Sequence, residues 1–537
     1  MGTPERRSRS NESDRELSSL FLAAYERLPA EALRDIPGLA LAAVGGYGRG
    51  ELCPGSDLDI LILHSDQFSA EKLLEFVNAV LYPIWDGTTS NSQMPRSVDH
   101  SVRTRSQTRE TARSDLKVAM GLLDIRLICG DADLVAAVQH DALDDWRKDS
   151  RRRLAELRIQ LSDRHSRAGE LAYLLEPDLK EARGGLRDIT ALRAIAMSGA
   201  LDIALERISG AESTLTNIRE ELHIQSGRSR DRLLFQEQDK VAAALGYVDA
   251  DALMGDVAQA ARDVDYLMQS TWHRLDHRGK DGFGRILRRP RTTSVGHGIS
   301  VAHHEVVVNT DAPSSGDPVL GLRAAAKAAQ LGLPLSLDSC VVLSKSLKEG
   351  IGLLPNPWPR EAREDLVALV GAGAAMVQVW EALDQEGIIS AWLPEWSAVR
   401  SLPQRNHLHR HTVDRHMVET AVHAAALTRR VHRPDLLLIA AIFHDIGKGG
   451  QEDHSHKGSE LIRPLAVRIG FNEEDVETLR LLIQHHLLLA ATATRRDLDD
   501  PGNDCIGPGK DSKFANSGTS TCSEYCRWRS NGKCGME

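Results

Sequence analysis

Apolar and polar positions divide the chain into segments with different periods. Two short apolar runs, at 41–44 and 60–63, flank a glycine-rich and acidic segment, which is the pattern of strand, turn and strand. Most of the remaining chain repeats its apolar residues at helical spacing, beginning with a predicted helix over 16–33. Residues 282–309 are rich in Arg, Gly and Pro and then alternate, which predicts a small irregular or β insertion. Together these patterns predict an α+β protein.

The same reasoning predicts individual elements along the chain. Helices are expected over 70–81 and 114–128 and a strand over 98–103, followed by long helical stretches at 145–280 and 318–402. Residues 1–15 are polar and predicted to be disordered. Residues 502–537 contain four cysteines but have no apolar period, and only two of the four are closely spaced. A disordered tail is therefore predicted there in preference to a zinc site.

Composition narrows the class of protein. The length of 537 residues suggests three or four domains, and 42% hydrophobic with 26% charged residues indicates a soluble globular chain. A net charge of −10 without a basic stripe argues against a nucleic-acid partner. The polar N-terminus lacks the core of a signal peptide, and the apolar run 436–443 is too short to cross a bilayer. We therefore expect a cytoplasmic protein with no membrane partner.

Asp57 and Asp59 follow the glycine turn in the segment GGYGRGELCPGSDLD. Residues two apart on a strand project to the same face, so these carboxylates can bind a hard cation such as Mg²⁺. Gly45 and Gly46 let the backbone approach a triphosphate, whose oxygens Ser56 and free backbone N–H groups can bind. The arrangement favours nucleotidyl transfer. A tight turn with two solvated aspartates is the alternative without function.

The complete string, which ends in an aliphatic strand, resembles the signature of the DNA polymerase β-like nucleotidyltransferase superfamily. It is most similar to the branch of bifunctional uridylyltransferase/uridylyl-removing enzymes, which modify the nitrogen-regulatory protein PII. The resemblance implies a third carboxylate on a neighbouring strand, for which Asp99 is the candidate and Asp86 the alternative. In that family Trp-Asp leads almost directly into this strand, whereas residues 88–97 intervene here.

Two further blocks resemble the same family. Residues 174–189, LLEPDLKEARGGLRDI, interrupt the helical pattern at Gly184 and Gly185, and by themselves predict a connection between helices. Their charged residues could also close over a nucleotide or a partner loop. The string resembles the EPxxKExxGGLRDI segment of the family, and residues 231–247, DRLLFQEQDKVAAALGY, resemble a second block. Both indicate common descent and assign no chemical role.

Histidines are concentrated between residues 406 and 486. Several lie in or beside predicted helices, where imidazole and carboxylate groups can converge on a divalent metal that activates water for attack on a phosphodiester. The ligand order resembles that of the HD phosphohydrolase superfamily, and FHDIGKG closely matches its central motif. The predicted ligands are His416, His444, Asp445, His454, His485 and Asp497, with Asp500 as the alternative to Asp497. The pattern leaves open one metal or two.

Single histidines outside this ordered set are expected to lie on the surface or in hydrogen-bonded positions. They are His407, His409, His411, His423, His432 and His456.

The resemblance implies a domain order. A nucleotidyltransferase domain would occupy 16–140, a mainly helical linker domain 141–400, an HD domain 401–500 and an atypical tail 501–537. Members of the family continue into two ACT domains that sense glutamine. We expect this chain to be truncated, or to change its reading frame, before those domains, so that glutamine control would be lost or weakened.

The resemblance also implies an activity. Asp57, Asp59 and Asp99 would be catalytic in transferring UMP from UTP to a tyrosine of PII with Mg²⁺, and the HD site, with Mg²⁺ or Mn²⁺, would remove the UMP by hydrolysis. The glycine turn contacts phosphate rather than base, so adenylylation with ATP is an alternative. The chain could also be a regulatory binding protein without turnover, or a free-nucleotide phosphohydrolase that uses only the HD site.

Overall fold

The computed structural model describes residues 4–27, 38–66, 68–86, 97–278, 292–309, 316–404, 411–450 and 452–488. The chain divides into two compact units. The first comprises Met1–Leu287 and Pro403–Thr412, and the second Arg288–Leu402 and Val413–Glu537. The division lies inside the predicted linker 141–400. The first part of that linker belongs with the glycine turn and the second part with the histidine-rich region.

A four-stranded sheet lies near the beginning of the first unit. Its order is β3-β2-β1-β4, with β1 antiparallel to both of its neighbours and β2 parallel to β3. The strands are β1 (Leu39–Ala43), β2 (Leu58–His64), β3 (Val98–Arg103) and β4 (Arg126–Gly130). The described helices of this unit are α1 (Pro4–Tyr25), α2 (Gly45–Gly48), α3 (Ala70–Trp85), α4 (Arg105–Ser114), α5 (Leu116–Leu123), α6 (Ala132–Lys148), α7 (Ser150–Ala168), α8 (Leu186–Met197), α9 (Ser209–Ser226), α10 (Phe235–Ala244) and α11 (Ala250–Arg278).

Strand β1 is apolar throughout because both faces of the sheet are covered. Leu39 and Leu41 lie in a core with side chains of α1 and α3. Ala40 and Ala42 point the other way, into a core formed with α5 and α6. Helices α7 to α11 enclose a further core in the same unit, which extends to α5 and α6. The sheet is therefore packed on both faces, and the glycine turn and the acidic segment connect two of its central strands.

The second unit combines a small sheet with helices. Its antiparallel strands, in the order β5-β6-β7, are β5 (Thr293–Gly296), β6 (Ile299–Ala302) and β7 (Glu305–Val308). They lie in the segment where a small β insertion was predicted. The described helices are α12 (Leu320–Leu331), α13 (Leu337–Lys348), α14 (Arg360–Val370), α15 (Ala374–Gln385), α16 (Ile388–Trp392), α17 (Val413–Ala425), α18 (Pro434–Phe443), α19 (His454–Ile469) and α20 (Glu473–Gln484).

The N-terminal prediction was wrong. Helix α1 begins at Pro4, within the stretch expected to be disordered, and ends at Tyr25. Its polar residues have partners far away in sequence: Arg6 lies 2.9 Å from Glu220, and Asp14 lies 2.7 Å from Arg126. These ion pairs give a polar segment a place in the fold that its own apolar content could not provide.

The helix predicted over 114–128 was only partly correct. Helix α5 ends at Leu123, and the apolar residues that follow form the edge strand β4, paired with β1. Gly130 ends that strand with φ +99, and Asp131 caps α6 by accepting a hydrogen bond from the Leu134 N–H. The strand predicted over 98–103 is confirmed as β3, and the helix over 70–81 as α3, which continues to Trp85.

A helix that crosses a bilayer must be both long and apolar. Taken singly, none of the described helices meets both conditions. Helices α14 and α15 meet them only as a pair, bent by 119°.

Candidate active sites

The acidic residues of the first unit meet at the start of β2 and β3. Asp59 is the register partner of Asp99 in the parallel strand pair, so both side chains project from the same face of the sheet. Asp57 precedes Asp59 by two residues and accepts a hydrogen bond from the Ser97 hydroxyl. Asp57 and Asp99 are exposed, whereas Asp59 is half-buried. Three carboxylates are thus brought to one end of the strand pair.

Repulsion within this group affects the protonation of Asp59. Burial makes the largest contribution to raising the pKa of Asp59 above its ordinary value, followed by the charges of Asp99 and Asp57. The charges of Lys117 and Lys180 act in the opposite direction. A divalent cation would relieve the repulsion, and carboxylate oxygens are the ligands that Mg²⁺ prefers. The donor set therefore fits Mg²⁺.

The glycine turn borders Asp59. The Val44 N–H donates to the Asp59 carbonyl over 3.0 Å, and α2 begins at the next residue. Gly45 has φ +57, and a Cβ added there would lie 3.7 Å from Asp59 Oδ2. Gly48 is required by packing, because its Cβ would come within 2.0 Å of the Asp124 carbonyl oxygen. The missing side chain at Gly45 thus keeps the approach to the carboxylate open.

Ser56 and Asp86 have identifiable local positions. The Ser56 hydroxyl accepts a hydrogen bond from the Cys53 N–H, and the Ser56 N–H donates to the Cys53 carbonyl, each over 3.0 Å. These bonds shape the turn that leads into Asp57, and contact between Ser56 and a triphosphate stays a prediction. Asp86 occupies the C-terminal cap of α3. Of the two candidates for the third carboxylate, Asp99 is the one that strand register places beside Asp59.

In the second unit, four histidines surround Asp445. His416 lies on α17, His444 and Asp445 follow α18, His454 opens α19, and His486 follows α20. The Nε2 atoms of His444 and His416 lie 3.3 and 3.7 Å from Asp445 Oδ2, and those of His486 and His454 lie 3.5 and 3.7 Å from Oδ1. The ligand atoms form two groups of three that share Asp445, each within 4.8 Å: His416, His444 and Asp445, and Asp445, His454 and His486.

Backbone carbonyls orient two of these imidazoles. His444 Nδ1 lies 2.9 Å from the Ala441 carbonyl oxygen, and His486 Nδ1 lies 2.7 Å from that of Ile483. A carbonyl oxygen only accepts, so Nδ1 carries a hydrogen in each ring, and Nε2 is the nitrogen that faces Asp445. A hydrogen bond of this kind to the second ring nitrogen is typical of metal-binding histidines.

Asp445 has the properties of a metal ligand. Its residue is 2% exposed, and within the described part of the chain its Oδ1 has no hydrogen-bond partner. Burial would raise the pKa of this carboxyl, but His444, His486 and Lys448 together hold it well below the usual range. Burial also lowers the pKa of His454, which favours the neutral form that binds metals. The donor set fits a divalent metal.

Three family models match the chain. A nucleotidyltransferase domain model covers residues 27–107, a GlnD PII-uridylyltransferase model covers 152–272, and an HD domain model covers 413–511. Among curated proteins, the bifunctional uridylyltransferase/uridylyl-removing enzyme of Streptomyces coelicolor is 48% identical over 520 residues, which is 93% of this chain and 59% of that protein. The chain is thus similar to bifunctional uridylyltransferase/uridylyl-removing enzymes over most of its own length.

Two further proteins of the same name are also similar to the chain. The enzyme of the same name from Mycobacterium tuberculosis is 42% identical over 87% of the chain and 58% of its own length. That of Corynebacterium glutamicum is 32% identical over 87% of the chain and 64% of its own length. The chain thus spans about three-fifths of the length of these relatives. The predicted α+β fold class, with a nucleotidyltransferase domain and an HD domain, is confirmed.

One predicted ligand of the HD domain is displaced by a single residue. His485 caps α20 with an exposed side chain and belongs to neither group of ligand atoms, whereas its neighbour His486 belongs to one. The structure therefore places His486, not His485, beside Asp445. Both residues lie beyond the last helical turn, where helical spacing no longer decides which side chain faces inward. Asp497 and its alternative Asp500 lie outside the described residues.

The sequence interpretation also gave no role to Lys448, whose Nζ lies 2.7 Å from Asp445 Oδ2. Its position three residues after Asp445 was the available signal, since such residues share one side of a helical turn. Of the histidines that were given no role, His423, His432 and His456 are exposed. His411 packs edge-on against Tyr173 at 5.5 Å, and His407 and His409 lie outside the described residues.

Proposed function

We propose that the chain catalyses two opposing reactions on one protein substrate. The first is transfer of UMP from UTP to a tyrosine of PII, and the second is hydrolytic removal of that UMP. One observation supports this most strongly: the first unit carries three carboxylates beside a glycine turn, and the second unit carries a separate His and Asp cluster. The names of the relatives contain both activities.

At the transfer site the residues have separate tasks. Asp57 and Asp59 would hold Mg²⁺, which when bound neutralises phosphate charge and orients the α-phosphate for in-line displacement. Gly45 and Gly46 leave the backbone open to the triphosphate. The tyrosine hydroxyl attacks the α-phosphorus, the new phosphodiester forms, and pyrophosphate leaves. Asp99, which is exposed beside Asp59, can accept the hydroxyl proton.

At the HD site the protein would hold metal and admit the phosphodiester. His416, His444 and Asp445 form one group of ligands, and His454 and His486 complete a second with the same aspartate. A divalent metal bound there supplies an activated water for attack on the phosphorus. The ionised Asp445 and the Nε2 atoms of His444 and His486 favour that binding, and the Lys448 ammonium beside Asp445 can stabilise phosphate charge. Breaking the bond to the tyrosine oxygen releases UMP.

The proposal also specifies the metal, the nucleotide donor, the protein substrate and the cellular location. Two groups that share Asp445 favour two metal ions, Mg²⁺ or Mn²⁺, at the HD site. UTP is preferred to ATP as donor because the relatives are named for uridylyl chemistry. PII is the proposed protein substrate because the model matching 152–272 is described as a PII-uridylyltransferase. We propose a cytoplasmic location and no nucleic-acid partner.

Intact-mass spectrometry of PII tests the transfer reaction. PII is incubated with the chain, Mg²⁺, and UTP or ATP in separate tubes, beside the double variant Asp57→Asn/Asp59→Asn. A gain of one UMP that the double variant cannot produce is expected. A gain of AMP would replace UTP by ATP as donor, and no gain from a folded protein with either nucleotide would overturn transfer.

A second experiment tests removal. Uridylylated PII is incubated with the chain and no UTP, with and without a chelator. Loss of one UMP in mass is expected, with arrest by the chelator and recovery when Mg²⁺ or Mn²⁺ is added in excess. Removal that continues in the chelator would contradict a metal-dependent HD site.

A further inference from the structure

The segment 177–188 of the first unit has a rigid backbone. Asp188 is fully buried and accepts a hydrogen bond from the Gly184 N–H over 2.7 Å. A Cβ at Gly184 would come within 2.5 Å of the Ala261 carbonyl oxygen, so the turn packs directly against α11. Within the segment, Lys180 donates its N–H to Asp178 Oδ1 over 3.0 Å and accepts at its carbonyl from the Arg187 N–H over 3.1 Å. The main chain of Lys180 is therefore held in place.

The side chain of Lys180 lies beside a network that reaches the acidic loop. Its Nζ is 3.7 Å from Asp231 Oδ2, and Asp231 also binds His223 at 2.9 Å. His223 is fully buried, and its Nδ1 accepts a hydrogen bond from the Gly55 N–H over 3.3 Å. Gly55 lies two residues before Asp57. The network thus joins Lys180 to the loop that carries the predicted Mg²⁺ ligands.

Asp231 does not use up the hydrogen-bonding capacity of Lys180. A separation of 3.7 Å is longer than a hydrogen bond between an ammonium and a carboxylate. Asp231 is closer to Arg219, with 2.6 Å between Arg219 Nε and Oδ1. The Lys180 side chain is 37% exposed, so its ammonium can reach a ligand from solvent.

The negative charge of the transfer site gives a cation at the position of Lys180 a role in binding. Transfer requires a triphosphate to approach three carboxylates, and each added negative charge there is unfavourable unless cations offset it. Lys117 and Lys180 are two lysines whose charges offset that of Asp59. Lys117 projects from the exposed first turn of α5. Lys180 instead extends from a main chain held by hydrogen bonds and lies beside the network that reaches the loop before Asp57.

We propose that Lys180, which belongs to the helical part of the first unit, binds the phosphate chain of the nucleotide at the transfer site. This deepens the proposed function and rests on it. Lys180 contacts the nucleotide through a charge-assisted hydrogen bond, and removing its ammonium leaves Asp231 paired with Arg219 and His223. The fold is therefore expected to tolerate Lys180→Ala.

Equilibrium binding of labelled UTP with Mg²⁺, without PII, tests the proposal. The variants are Lys180→Ala and Lys180→Arg, with Lys240→Ala as control, because Lys240 is exposed on α10. Lys180→Ala is expected to raise the Kd for UTP about tenfold or more. Lys180→Arg should recover most of that affinity, and Lys240→Ala should match the wild type. Equal affinities of Lys180→Ala and wild type would overturn the proposal.

Rates of UMP transfer and UMP removal, measured for the same variants, distinguish a failure of the Lys180 proposal from a failure of the proposed function. Lys180→Ala is expected to raise the KM for UTP while removing UMP from PII at the wild-type rate. If the wild type binds UTP but transfers nothing, the proposed function fails and the Kd comparison still decides the role of Lys180. If the wild type binds no UTP, both are overturned.

Discussion

Substituting Gly45 by alanine separates the chemistry of the glycine turn from its conformation. Gly45 has φ +57 and Gly50 has φ +72, so alanine at either position is strained by about 1–2 kcal/mol. The surroundings differ: a Cβ at Gly45 would lie 3.7 Å from Asp59 Oδ2, whereas a Cβ at Gly50 meets nothing within 4 Å. Gly50→Ala is therefore a matched control for backbone strain.

The difference between the two variants measures what the methyl group does beside Asp59. It does not overlap the carboxylate, because 3.7 Å is an ordinary van der Waals contact, but it occupies the side from which a phosphate or its cation would approach. A displacement of about 1 Å in the reacting groups costs on the order of 100-fold in rate. We expect Gly45→Ala to lose transfer about 100-fold and Gly50→Ala to stay within about threefold of the wild type.

The assay is the initial rate of UMP transfer to PII, with urea unfolding of each variant and removal of UMP as checks on the fold. Both variants should show a similar decrease in the free energy of unfolding and should remove UMP at the wild-type rate. Equal transfer rates for the two variants would refute the reasoning, because the methyl group beside Asp59 would then have no effect of its own.

The remaining predictions concern the second unit. His486→Gln should lower metal-dependent removal of UMP by about tenfold or more, whereas His485→Gln should leave it within about twofold, measured on uridylylated PII with titrated Mn²⁺. Burial raises the pKa of Asp365 to about 6, so the folded state favours the protonated carboxyl and loses stability as pH rises from about 4 to 6. Asp365→Asn should therefore add about 1 kcal/mol to the free energy of unfolding above pH 6, after allowance for partial exposure, and little below pH 4.

Each of these predictions has an outcome that contradicts it. If His485→Gln and His486→Gln lowered the rate of UMP removal equally, the arrangement of histidines around Asp445 would not determine metal binding. For Asp365, urea unfolding at pH 4 and pH 8 is compared with Glu349→Gln, which alters an exposed residue. A gain of the same size at both pH values, or in the control, would show that ionisation of Asp365 is not the cause.

Much of the first site could be predicted from sequence because its geometry is local. Asp57 and Asp59 belong to one segment, the glycine turn precedes it, and the period of a strand places both carboxylates on one face. Asp99 came from an alternating segment, and its register with Asp59 depends on how two strands pair, which the spacing alone does not determine. The insertion at 88–97 left that register open.

The errors of prediction arise where contacts between residues far apart in sequence determine the local structure. Helix α1 depends on ion pairs such as Arg6 with Glu220, more than 200 residues apart in sequence. Part of strand β4 was assigned to a helix because a short apolar run, 127–129, suits either element until a partner strand is known. His486 was missed because its orientation follows from the backbone after the last turn of α20, where the Nδ1 contact with Ile483 fixes the ring.

The sequence alone also could not predict a role for the segment 177–188. Its glycines and charges suggested a connection between helices, and nothing in the spacing indicates that Lys180 lies near Asp231 or that His223 binds the backbone of Gly55. These contacts arise from packing between parts of the first unit that are far apart along the chain.

The central claim is that two separate sites carry out opposing reactions. The most direct test is a time course of PII mass with UTP and Mg²⁺ for Asp59→Asn and Asp445→Asn, followed by addition of uridylylated PII to each. Asp59→Asn should remove UMP but not add it, and Asp445→Asn should add UMP but not remove it. A folded single variant that loses both reactions would contradict the account.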